Sequence, residues 1–196
     1  MSYSPENNER GFTIVELVVG LAIGLILLGV AVKIFLVQQR SYSVQEQLSE
    51  MQQNIRSAMD MIVRETKMAG YNPAGAIFDG IEYDATKTQL RILADLDGDG
   101  TTTGTNEDIT YSHDDTDLQI ERNGAGNPIA ENITEFTFDY YDASGTGTDT
   151  STNIRQIWIT ITGRTSKTDP DLKRVDGVGY RYGTLTTHVT PENLDF

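Results

Sequence analysis

Three patterns of apolar and polar positions follow one another along the chain. From Phe12 to Val32 the sequence reads FTIVELVVGLAIGLILLGVAV, in which Glu16 is the only charged residue. As a helix this run of about 21 residues is roughly 32 Å long, enough to span the hydrocarbon core of a bilayer. After Lys33 the apolar positions become periodic. Val44, Leu48, Met51, Ile55, Met59 and Ile62 recur three or four residues apart, and Gln45, Glu46, Gln53, Arg56, Asp60 and Arg64 fill the remaining faces. That is one stripe of an amphipathic helix. No Pro lies between Phe12 and Tyr71, so the two patterns predict one helix from about Thr13 to Met68, roughly 80 Å long. Gly70 is placed to cap its end and Pro73 forbids continuation.

Beyond Gly80 the period falls to two. Leu90, Ile92 and Ala94 alternate with more polar neighbours, as do Ile109 and Tyr111, then Leu118 and Ile120. Phe136, Phe138 and Tyr140 form the clearest set, expected to face Ile157, Ile159 and Ile161 across a hairpin whose loop is Asp142–Asn153. A second loop is expected from Gly163 to Asp176, and a last strand near Tyr180–Val189 to close the sheet. These are half-buried antiparallel strands with turns at Asp97-Gly98, Asn123-Gly124 and Ser144-Gly145-Thr146-Gly147. The helix stripe and the apolar face of the sheet need each other. The expected architecture is therefore α+β, with the second half of a long N-terminal helix packed on a meandering antiparallel sheet.

Charge narrows the function classes. The chain carries 29 acidic against 15 basic residues, a net charge of -14, and no Cys. Seventeen of the acids lie between Asp79 and Asp149, opposed there by Lys87, Arg91 and Arg122 alone. Nucleic-acid binding needs a basic face and is not expected. The acidic block reads as a solvated face or as a source of cation ligands. Asp95-Leu-Asp-Gly-Asp-Gly100 carries carboxylates at alternate positions followed by Gly, like the first half of an EF-hand loop. The twelfth position is Asn106 rather than Glu, and strands flank the segment, so an EF-hand is not expected. A calcium ion held by Asp95, Asp97, Asp99 and the Thr101 carbonyl, with Glu107 or Asp108 closing the site, is the sharper reading, a flexible acidic hairpin tip the plainer one. Asp114, Asp115 and Asp117 read as a turn. The two histidines, His113 and His188, fall on separate expected strands, and no nucleophile elbow or phosphate loop is present. No enzymatic activity is expected. Trp158 with Tyr140 and Tyr141 reads as packing within or upon the sheet, with an adhesive patch as the alternative.

The N-terminus carries the most specific signal. A carboxylate within an apolar helix is costly and marks a functional candidate. Here Glu16 follows Gly11-Phe12-Thr13-Ile14-Val15 and precedes an uninterrupted apolar helix. This arrangement resembles the signal of type IV prepilins and type II secretion pseudopilins. The resemblance implies cleavage between Gly11 and Phe12 by a prepilin peptidase, N-methylation of Phe12, and pairing of Glu16 with the Phe12 amine of a neighbouring subunit. Gly20-x-x-x-Gly24 is a close-packing pattern for membrane helices. The segment from Gln45 to Tyr71, with Met68-Ala-Gly-Tyr71 at its end, the Leu93–Gly100 stretch and Val189–Leu194 resemble the PilW-type minor pilins.

The implied organisation is a cleavable leader over 1–11, a transmembrane and filament-core helix over 12–37, an amphipathic helix over 38–70 and an antiparallel β head over 71–196. The implied partners are other minor and major pilins, the peptidase and an inner-membrane assembly platform. The implied location is the inner membrane with a periplasmic head, then the pilus and cell surface. A secretion pseudopilin, and a membrane-tethered calcium-binding or adhesive module that never polymerises, are the alternatives.

Overall fold

The computed structural model describes residues 11–169, 171–172 and 179–194. The expected leader, apart from Gly11, lies outside the described residues, as do part of the Gly163–Asp176 loop and the last two residues of the head. The chain divides into two compact units, residues 1–45 and 46–196. One helix, α1, runs Ile14–Lys67 without interruption over 54 residues, as the two apolar patterns predict.

In the first unit every residue from Gly11 to Ser43 is exposed, so the apolar run finds no cover within its own unit. In the second unit α1 buries one stripe. Met51, Ile55, Ala58, Met59, Ile62 and Thr66 are buried, and Leu48 is half-buried at the start of the stripe. The small residues Ala58 and Thr66 widen the seam beyond the large apolar side chains that the periodicity identifies. Thr66 stays satisfied there by donating its hydroxyl to the Ile62 carbonyl at 2.7 Å. The helix closes by tightening. Met68 N bonds Glu65 O and Ala69 N bonds Thr66 O, after which Gly70 turns the chain at φ 76°.

The strands are β1 Ile81–Glu82, β2 Gln89–Leu93, β3 Asp108–Asp114, β4 Gln119–Arg122, β5 Pro128–Glu131, β6 Ile133–Tyr141, β7 Gln156–Arg164 and β8 Tyr182–Val189. All pairings are antiparallel. They form two sheets rather than the single closed sheet expected: β1-β2-β3-β4-β5 and β6-β7-β8. The division falls at one residue. Asn132, at φ 58°, separates β5 from β6 and turns the chain from one sheet into the other. Its carbonyl accepts from Arg164 N, while Ile133 N donates to Leu118 O, so the backbone stays bonded across the break. Leu118, expected on a strand, sits instead in the β3–β4 turn at φ 55°.

The central hairpin has the expected register. Phe136 pairs with Ile161, Phe138 with Ile159 and Tyr140 with Ile157. These residues join the buried stripe of α1 and Leu90, Ile92, Tyr111 and Ile120 of the five-stranded sheet in one core.

One tight junction of the head lies where the end of α1, the residue before β1 and the C-terminal segment meet. Gly70 N donates to Leu93 O, and Leu93 N donates to Gly80 O. A Cβ on Gly80 would lie 2.4 Å from Gly70 N and 2.6 Å from Gly70 Cα, and backbone atoms in a hydrogen-bonded junction cannot retreat. Gly80→Ala is expected to destabilise the head by about 3 kcal/mol, at the upper end of overpacking costs. Denaturant unfolding followed by circular dichroism measures it, and a change below about 1 kcal/mol would contradict this packing.

Candidate functional site

The start of α1 is built by four residues. Thr13 precedes the first helical turn, and its carbonyl accepts the first helical bond, from Leu17 N at 3.1 Å. The Thr13 backbone N–H and hydroxyl both donate to Glu16 Oε2, each at 2.9 Å, and Glu16 N donates back to Thr13 Oγ1 at 3.2 Å. This is a capping box, in which two amides orphaned at the helix start are satisfied reciprocally. Glu16 is therefore held at the positive end of the helix dipole. Thr13 has no role in the sequence-based expectation, although Thr-x-x-Glu ahead of an apolar run is the signature of such a cap.

Gly11 and Phe12 lie before the helix outside any regular element, and Phe12 is 89 % exposed. Glu16, Gly20 and Gly24 follow at four-residue intervals and share one side of the helix. A Cβ on Gly20 or Gly24 would meet nothing within 4 Å, so this side is open to another chain. By length and composition α1 can cross a membrane.

The acidic loop connects β2 to β3, and its neck is closed by Ala94 N donating to Glu107 O at 2.9 Å. Carboxylate oxygens of Asp95, Asp97 and Asp99 lie within 4.8 Å of one another. Asp95 is fully buried and accepts from Gly98 N at 2.8 Å and from Gly100 N at 3.1 Å. Asp97 accepts from Asp99 N, and Asp99 from Thr101 N. Gly98 and Gly100 take φ of 79° and 82°, conformations that favour glycine. Glu107 is also buried. Its Oε1 accepts from Leu96 N and Asp97 N, and its Oε2 from Gly104 N at 2.6 Å. The structure thus brings the three aspartates together and sets Glu107 against the amides of the same loop.

A groove of about 670 Å³ lies beside the helix end, with Met61, Met68, Leu96 and Ile129 in its walls. Within it Arg122 Nε donates to Glu65 Oε2 at 3.1 Å, and the Tyr111 hydroxyl donates to the same oxygen. Burial first, then the hydrogen bond and charge of Glu65, push the Tyr111 phenol well above its ordinary pKa. Burial is also the largest influence on Arg122 and opposes its charge, but the Glu65 hydrogen bond and charge outweigh it and raise the pKa. The trio is a pinned ion pair, and no periodicity in the sequence announces it.

The two histidines lie on different sheets. His113 on β3 is held between Ile133 O and Asp115, each at 3.0 Å. His188 on β8 stacks on Trp158 of β7, 5.7 Å between ring centres, with Tyr141 on the other flank. Trp158 is 44 % exposed and packs on the surface of the sheet.

The capping box makes a direct prediction. Thr13→Val removes the hydroxyl that both donates and accepts, and should destabilise the helix start by about 1 kcal/mol, whereas Thr13→Ser should not. Amide exchange at residues 13–17 in detergent micelles reads it out as roughly fivefold faster exchange in the valine variant.

Comparison with known proteins adds the family. A model of the prokaryotic N-terminal methylation motif matches residues 7–32. A model of prepilin peptidase-dependent protein B matches residues 44–178, more than half of the chain. Among solved structures, the type IV-like pilin TTHA1219 from Thermus thermophilus is similar at 12 % identity and a TM-score of 0.49, covering 74 % of this chain and 98 % of that one. No curated protein matches. The two family models divide the chain between them as the sequence does, the methylation motif on the capped apolar helix and the second on the amphipathic helix and head. The chain is a type IV pilin-like protein and belongs to the prepilin peptidase-dependent protein B family.

Proposed function

We propose that this protein is a minor pilin that is cut between Gly11 and Phe12, N-methylated on Phe12, and built into a type IV pilus to initiate or support its assembly. One observation carries the reading. A capped carboxylate, Glu16, stands four residues past Phe12 on an apolar helix whose surface is bare within its own unit. The peptidase frees the Phe12 amine, and the Glu16 carboxylate of an adjacent subunit takes it as counter-ion. Oε2 accepts both bonds from Thr13, so the ammonium would fall to Oε1. A charge inside a packed apolar core is tolerable only when paired, and removing one partner strands the other at a cost of about 3–5 kcal/mol. Gly20 and Gly24, on the same side, let a neighbouring helix approach closely. Before assembly the chain resides in the inner membrane with its head in the periplasm, where it meets the other pilins and the assembly platform. A type II secretion pseudopilin would use the same residues. Deletion separates the two, removing surface pili under this reading and enzyme secretion under the other.

We also propose a calcium ion in the Asp95–Thr101 loop, because three converging carboxylates repel one another unless a cation lies between them. Asp95, Asp97, Asp99 and the Thr101 carbonyl would hold it. Glu107 would have to release one amide to close the shell.

Two measurements test these proposals. Intact mass of the protein from purified pili should correspond to a chain starting at methylated Phe12, and Glu16→Ala should be processed yet absent from sheared filaments. An unprocessed chain in the filaments, or wild-type incorporation of Glu16→Ala, would overturn the pilin reading. Calcium at a hundredfold above its dissociation constant should stabilise the head by about 2.7 kcal/mol over a chelated sample. Superimposable melts would remove the ion.

A further inference from the structure

The two sheets treat their edges differently. In the five-stranded sheet the outer strands are β1, two residues long, and β5, four residues long and opened by Pro128, which has no N–H to offer. In the three-stranded sheet one outer strand, β6, carries Glu135, Asp139 and a register shift, whereas the other, β8, is eight residues long and pairs with β7 along its whole length with no register shift. Proteins guard an exposed edge with a short strand, a proline, a bulge or a charge. β8 has none of these. In a chain of net charge -14 it is the one described strand without Asp, Glu, Lys or Arg.

The core is also incomplete beneath this edge. Ile157, Ile159 and Ile161, the inward row of β7, are wholly buried. In the matching row of β8, Val189 is buried beside Ile157, whereas Thr187 and Leu185, opposite Ile159 and Ile161, and Gly183 beyond them remain half-exposed. Among the described residues nothing pairs with the outer side of Gly183–Val189.

We propose that the outer edge of β8, over Gly183–Val189, is an interaction surface that takes an extended segment of another protein as a fourth strand. The segment is apolar at every second position and carries no acidic side chains. The alternation follows from the inward row, where apolar side chains of the added strand complete the cover over Leu185. The threonines of the outward row already form cross-strand pairs, Thr160 with Thr186 at 3.1 Å and Thr162 with Thr184 at 3.0 Å, and an added strand with hydroxyls on that side extends the ladder. The exclusion of acids follows from Glu135 of β6, whose carboxylate accepts from Thr162 at 3.1 Å on the same outward row that Thr184 of β8 continues.

A second copy does not fit. Antiparallel pairing of two β8 edges reverses the direction of the head helix in the second copy, whereas copies anchored in one membrane point the same way. Parallel pairing turns one inward row outward and sets Leu185 against threonine hydroxyls. Only this exclusion borrows from the anchoring proposed above.

The chain carries its own reporter, since its single tryptophan, Trp158, stacks on His188 of β8. The test uses the full chain in detergent micelles and a synthetic peptide of alternating valine and threonine with a lysine at each end. Tryptophan emission should change saturably, and amides within Gly183–Val189 should exchange at least tenfold more slowly. The same peptide N-methylated on alternate amides cannot form the ladder and should do neither. Glutamates in place of its lysines should weaken binding several-fold, and Leu185→Lys should weaken it at least tenfold at a temperature well below that variant's own melting midpoint. Unprotected β8 amides at saturating peptide, or equal binding of the N-methylated peptide, would overturn the proposal. Filament incorporation does not enter this assay, so its failure and that of the pilin reading are separate results.

Discussion

The apolar surface of residues 12–37 has no partner inside its own unit, and the rest of the molecule is arranged around that fact. At about 25 cal/mol per Å² of apolar surface, a helix of this length cannot stay in water. It must lie in lipid or against other copies of similar helices, and the peptide groups of an α-helix satisfy themselves in either setting. A backbone of that kind can pass from bilayer to filament without refolding. The side chains then need only exchange one apolar surrounding for another, which a smooth Leu, Ile and Val surface interrupted by glycines permits.

Glu16 is the exception to that smoothness and the source of its specificity. In a lipid-facing helix its carboxylate lies at the cap, where the first-turn amide and hydroxyl of Thr13 spread its charge. In the proposed pairing its other oxygen takes the ammonium of another chain. The cap and the proposed pairing do not compete, because they use different oxygens. A hydrophobic helix alone associates in any register, whereas one buried charge seeking one terminal amine selects a single axial offset, as buried polar groups do in coiled coils.

Much of this was legible in the sequence, because it rests on local signals. The helix of Ile14–Lys67, its cap at Gly70 and the Phe136–Tyr140 hairpin each follow from spacing within a few residues. What could not be read was decided at a distance. Asn132 sits in a stretch that looks like continuous strand, and its positive φ becomes necessary only because β5 and β6 must reach different partners. The Glu65–Arg122–Tyr111 trio joins residues from the helix and two strands, and no local pattern links them. Thr13 is the opposite case, a signal present in four consecutive residues and overshadowed by the carboxylate beside it. Glu107 shows what composition leaves out. Its place near three aspartates suggests a fourth ligand, and only the folded loop shows that its carboxylate also accepts from three backbone amides.

The acid excess and the bare edge of β8 bear on one another. A head carrying most of a net charge of -14 repels its own kind over a Debye length of about 8 Å at physiological salt, which opposes unplanned association. That protection is general and has no shape. It therefore lets one uncharged strand remain unguarded, since an acidic neighbour is held off before the edge can be reached, while a neutral or basic segment is not. Charge elsewhere on the head thus does for β8 what a lysine or proline would do on the strand itself, and it leaves the hydrogen-bonding row intact for a partner of the right sign.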